Sequence, residues 1–169
     1  MSEENPARLS FDYVWAQVNA AIGILTRNPN AVAAFDFSFA GFFRSFLAAI
    51  IVLPIYVYEL IAGREFIDEL RAADPALAGN LPDISFPYVL VEGVHYAAQW
   101  LVFPVLFVFL ARMLQLTPRY VPFIVAYNWA VVPTMTLSVV PLLLYGLGIA
   151  GIEATSFLNL IAIAAVLYY

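Results

Sequence analysis

Cysteine and lysine are both missing from this chain of 169 residues, histidine occurs once, and charged residues make up only 11% of it. Without cysteine there is no disulfide, no thiolate zinc site and no thiol nucleophile. Without lysine, the basic side chains are seven arginines, set singly at Arg8, Arg27, Arg44, Arg64, Arg71, Arg112 and Arg119. Scattered in this way against a formal net charge of −5, they form no stripe able to neutralise a row of phosphates, which argues against nucleic acid as a partner. With one His and three Met, a multi-haem protein lacks its axial ligands. No Gly-rich phosphate loop, His-x-x-x-His pair or Ser/His/Asp set stands out. The chain therefore reads as a non-enzyme, with no catalytic residue, cofactor or metal called for.

What is abundant is apolar surface: 64% of the residues are hydrophobic and 16% aromatic. A soluble domain carries roughly 25% charged residues, and this chain cannot cover a water-facing exterior with its few. A lipid bilayer is the expected surrounding. The expected fold class is all-α, a polytopic transmembrane helical bundle with an N-terminal amphipathic interfacial helix.

Residues 1–36 form the N-terminal segment. Met1 to Arg8 is acidic and polar, unlike a cleavable signal peptide, so the first span is expected to act as its own insertion signal. Between Ser10 and Asn28, the residues Phe11, Val14, Trp15, Val18, Ile22 and Leu25 recur at spacings of three and four. That pattern predicts an amphipathic helix over 10–28, capped by Ser10, stopped at Asn28-Pro29 and lying in the interface plane with Trp15 and Phe11 inward. Asp12, Gln17 and Asn19 fall on its other faces.

Residues 37–169 form the bundle. The first span covers about 38–62, with Arg44 and Glu59 its only charges, each within reach of an end. Arg44 reads as a snorkelling side chain, and Pro54 as a kink. An acidic loop follows over 63–85, punctuated by Pro75, Gly79 and Pro82, with a short helix expected near 65–73. The second span covers about 86–113 and the third about 120–150, joined so tightly that they must be antiparallel neighbours. Pro122, Pro133 and Pro141 predict a tilted or broken third helix. The fourth run, 154–169, reaches roughly 24 Å at helical rise, barely a crossing. Tyr168 and Tyr169 would anchor it, or the chain is a piece of a longer one. More Arg residues flank the N-terminal side than the side of the acidic loop, which places the N-terminus in the cytoplasm. The use of Arg alone hints at a GC-rich bacterial genome, and the expected location is a bacterial inner membrane.

Ionisable groups at membrane depth are costly and mark function by default. On the second span Glu92, His95 and Gln99 share a face through spacings of three and four. That face suits proton transfer or contact with a polar ligand. Glu-x-x-His is also half of a carboxylate-bridged metal site, but the chain holds no second His to supply the other half. On the third span Asn128, beside Tyr127 and Trp129, offers either helix packing or a ligand contact, and Thr134, Thr136 and Ser138 follow. Glu92, His95, Gln99 and Asn128 together are the candidate polar intramembrane site. Gly146, Gly148 and Gly151 read as close helix approach and turn.

The segment YVPFIVAYNWAVVP over 120–133 resembles the aromatic, proline-punctuated third-span region of bacterial Yip1-like membrane proteins. The Asn-Pro and Phe stretch at 28–37 is a further echo, and the resemblance covers about a third of the chain. It implies a compact bundle without catalytic residues and one span more than is counted here, so that a further span should follow Tyr169. The expected function is a non-catalytic accessory or assembly subunit, packing against a larger membrane complex, with lipid and other membrane protein subunits as partners. The alternative is a small transporter or channel subunit with a polar path at Glu92, His95 and Asn128.

Overall fold

The computed structural model describes residues 9–74, 76, 78–83 and 85–168. Of the residues used above, Arg8, Pro75 and Tyr169 lie outside them. Every regular element among the described residues is helical.

Helix α1, Phe11–Leu25, starts where Ser10 turns its hydroxyl back to accept from the Tyr13 N–H at 3.1 Å. It ends as Arg27 takes a left-handed φ of 57° and the Asn28 N–H reaches the Gly23 carbonyl at 2.8 Å, a Schellman stop. Its buried residues are Gln17, Ala20 and Ala21, with Tyr13 half-buried beside them. The Phe11 and Trp15 rings stack on each other on the exposed side.

The first apolar run is two helices, α2, Phe39–Ser45, and α3, Leu47–Ala73, meeting at Phe46. Helix α3 does not stop at residue 62, and the separate short helix expected at 65–73 is its last part. Hydrophobicity fails there before helix-forming ability does. Arg64 and Asp68 lie 3.9 Å apart four residues on, and Arg71 reaches Asp68 at 2.7 Å. Such pairs support a helix that has left its apolar stretch. Helix α4 is Phe86–Met113, and a single 3-10 turn at Thr117–Arg119 leads into α5, Tyr120–Gly146. Helix α5 runs unbroken past Pro133 and Pro141 instead of splitting, because an interior proline deletes one ladder bond and the neighbouring turns keep theirs. The run expected to continue to residue 150 turns at Gly148, whose φ of 69° closes the helix, and α6, Ile152–Tyr168, follows.

Phe39–Ala73, Phe86–Met113 and Thr117–Gly146 are long and apolar enough to cross a membrane; Ile152–Tyr168 is apolar but shorter. The chain divides into two compact units, and α3, α4 and α5 each contribute to both. The first takes the chain up to Ile51 with Pro104–Pro133, and its core is built on Ala48, Ala111, Ile124, Val125 and Trp129, all at most 1% exposed. The second takes Val52–Phe103 with the chain from Thr134 onward, and buries Val52, Ala62, Trp100, Val139, Thr155 and Ala162.

Candidate functional site

In the first unit, the residues before α2 gather a polar cluster that patterning alone did not single out. Ser38 caps α2 by accepting from the Gly41 N–H at 3.0 Å, and its own N–H donates to Asp36 Oδ1 at 3.1 Å. The Asp36 N–H donates to Gln17 Oε1 at 3.0 Å, which explains a buried glutamine on α1. The Tyr13 hydroxyl donates to Asp36 Oδ2 at 3.2 Å. Arg44 Nη1 stands 3.7 Å from the same oxygen, and its guanidinium lies 5.2 Å over the Tyr13 ring. The Arg44 side chain is only 17% exposed. It is tied to the Asp36 carboxylate and the Tyr13 ring face, contacts that hydropathy alone, which reads Arg44 as a snorkelling side chain, does not reveal. These groups line a pocket of about 570 Å³.

The electrostatics follow from this geometry. Burial, then the Asp36 charge and the hydrogen bond to it, push the Tyr13 phenol up to about 12 against the opposing pull of Arg44. Burial works to raise the Asp36 carboxyl, but hydrogen bonds from Ser38 and Tyr13 and the charge of Arg44 together outweigh it and hold it below the usual carboxylate value.

Asn128 belongs to this unit as well. Only 1% exposed, it donates through Nδ2 to Ser45 Oγ at 2.9 Å, and Ser45 donates on to the Phe42 carbonyl at 2.7 Å. A buried amide cross-linking two helices is its visible role. Trp129 beside it is fully buried, with its ring edge-on to Tyr13 at 6.4 Å.

Glu92, His95 and Gln99 lie in the second unit. The Tyr56 hydroxyl shares its hydrogen between Glu92 Oε2 at 3.0 Å and the Glu92 carbonyl at 2.9 Å. His95 Nδ1 stands 3.6 Å from Glu92 Oε2, an ion pair when the imidazole is protonated, but too long for a good hydrogen bond. The His95 side chain is 69% exposed and that of Glu92 25%. Gln99 is exposed on the same helix and takes no part in that contact. Tyr56, which sequence reading missed, is therefore the nearest partner of Glu92, and its ring packs on Tyr96 at 4.5 Å. Its signal was only that of an aromatic in an apolar run.

Elsewhere in this unit carboxylates meet hydroxyls again. The Tyr145 hydroxyl donates to Glu69. Ser138 stands 3.5 Å from Glu59. The Tyr58 hydroxyl donates to the Leu142 carbonyl at 3.1 Å and lies so near Gly146 that any side chain there would collide with it. Among the described residues no group of three or more His, Cys, Asp or Glu could hold a metal ion. No family model matches the chain, and neither a curated protein nor a solved structure matches it.

Proposed function

We propose that this chain is a non-catalytic, multi-span membrane protein that serves as an accessory or assembly subunit, packing laterally against a larger complex in a bacterial inner membrane. In this reading α2 with α3, α4, α5 and α6 supply four crossings, α1 lies in the interface with Phe11 and Trp15 in lipid, and the N-terminus is cytoplasmic. The Yip1-like assignment, resting on residues 120–133, is a proposal of the same kind.

One observation carries most weight. On α4, Leu90, Val91, Val94, Leu101, Val102, Val105, Leu106 and Phe109 are each 49–70% exposed. At ~100° per residue these positions form a continuous stripe about 160° wide along the helix, more apolar surface than a water-soluble fold leaves uncovered. Lipid covers such a surface, and so does another membrane helix. Three polar groups inside the helices meanwhile find partners within the chain: Asn128 takes Ser45, Arg44 takes Asp36, and Glu92 takes Tyr56.

Purification in a mild detergent followed by native mass measurement tests the reading. A stoichiometric membrane partner is expected, and a lone monomer under conditions that keep known complexes whole counts against it. A reporter fused after Asp74 should report the outer side, and cytoplasmic activity there reverses the topology. Proton-dependent flux in liposomes that disappears in Glu92→Gln would favour the small transporter instead.

A further inference from the structure

Glu59 and Glu92 both sit in helices read as spans, yet their surroundings differ. Glu92 has the Tyr56 hydroxyl at 3.0 Å and the His95 imidazole at 3.6 Å. Among the described residues, Glu59 has one hydrogen-bonding side chain within reach, Ser138, at 3.5 Å. The Ser138 hydroxyl carries a single hydrogen, and the Met135 carbonyl takes it at the shorter distance of 3.0 Å. As a carboxylate, Glu59 would then face the Ser138 oxygen with no donor between them. As a carboxylic acid it donates to Ser138 Oγ, Ser138 donates to Met135, and every hydrogen is used.

Nor does a cation neutralise it. Among the described residues Arg64 and Arg71 pair with Asp68, Arg44 with Asp36 and His95 with Glu92, and no ion pair includes Glu59. Among the other titratable groups on the helices that touch α3, Tyr88 on α4 is engaged by Glu92, Tyr145 on α5 by Glu69, and Glu153 on α6 is exposed. Tyr56, one turn before Glu59 on α3, is engaged by Glu92. Glu59 lies five residues before Arg64, roughly 7.5 Å at ~1.5 Å per residue inside the end of the apolar stretch. An unpaired charge there is costly.

We propose that Glu59 is a proton-binding carboxyl inside the first span, occupied by its proton at neutral pH, and the site at which a hydrophobic carbodiimide modifies the protein. The proposal rests on the reading of α3 as a span. In the modification the carboxyl O–H adds across one C=N bond, its proton going to nitrogen and its oxygen to the central carbon. With water kept away, the acyl group then migrates from oxygen to nitrogen, the C–O bond breaking as the C–N bond forms. The stable N-acylurea retains every atom of both reactants.

The test uses the full chain in phospholipid vesicles washed with alkaline carbonate, then treated with dicyclohexylcarbodiimide at mildly acidic, neutral and mildly alkaline pH and mapped by peptide mass. A single adduct is expected on the peptide holding Glu59, falling as pH rises and lost in Glu59→Gln. Because glutamine can still donate to Ser138, that variant should melt at the wild-type temperature. A water-soluble carbodiimide should label Glu65 and Asp68 and spare Glu59. Preferred labelling of Glu92 or Glu69, equal labelling of Glu59 by the water-soluble reagent, or no adduct in a chain that stays in the vesicles overturns the proposal. Release of the chain by the wash overturns the span itself, a separate result seen before any reagent is added.

Discussion

Asp36 shows how one side chain fixes a junction. It receives Tyr13 and Ser38, stands beside Arg44, and lends its own N–H to Gln17. Because folding holds its carboxyl below the ordinary value of about 3.9, its contribution is complete above that value and disappears as pH falls through the lower, folded one. Tyr13 has the opposite sign: raised by folding, its contribution is complete below about 10 and lost as pH rises through about 12. The junction should therefore be insensitive to pH over the whole neutral range. Asp36→Asn is expected to lower the Tyr13 titration towards 10 but not to it, since burial, the largest cause, remains. It should also cost about 1–3 kcal/mol by leaving the Arg44 guanidinium without its carboxylate. An ultraviolet titration of the phenol checks the first, and a Tyr13 midpoint that stays in place would sink the account. The sequence could not announce this cluster, because Tyr13, Asp36 and Arg44 follow no single helical period and meet only after the chain has turned twice.

At the scale of helices, three ends close in the same way. Asn28 N–H to Gly23 carbonyl, Leu116 N–H to Ala111 carbonyl and Ile149 N–H to Leu144 carbonyl each span five residues. Between them sit Arg27, Gln115 and Gly148 at left-handed φ of 57°, 58° and 69°. Only the last is a residue free of the Cβ penalty, which is about 1–2 kcal/mol for other residues. Gln115→Gly should therefore stabilise the end of α4 by up to about 1 kcal/mol, and Gly148→Ala should destabilise the end of α5 by about 1–2 kcal/mol. Comparing steric-trap or denaturant unfolding of the two variants checks both, and equal signs would refute the argument. This is also where sequence legibility can be weighed. Gly148 was readable as a turn because glycine signals one, whereas Gln115 gives no such signal and was visible only as a tight joint. The start of α1 was readable from Ser10. The length of α3 was not, because Arg64, Asp68 and Arg71 look like a loop to a hydropathy count and like a helix to their own pairing.

For the whole chain, composition pointed to long apolar helices, and these are present. The candidate polar set is shared between the two units. Glu92 and His95 meet in one unit, while Asn128 is occupied by Ser45 in the other. Spacing along a helix can bring residues of that helix together, but it carries no information on which neighbour a distant span will offer. The outward stripe of α1 gives a test at this scale. Trp15 is 54% exposed and Trp129 is fully buried. In single-tryptophan variants reconstituted with brominated lipid, Trp15 should be strongly quenched and Trp129 barely; the reverse order would remove α1 from the interface.

The contact between Tyr13 and Trp129 also dictates a timetable. The ribosome makes the first of these residues early and the second only after all of α4 and the first turns of α5 have been completed. Until then α1 lacks the indole beside it, and the part of the first unit that α5 supplies is still unmade. During that interval α1 is held by the hydrogen bonds of Tyr13 and Gln17 with Asp36 and by the aromatic pair on its outer side, so nascent chains halted before residue 120 should yield α1 to a protease more readily than the finished protein does.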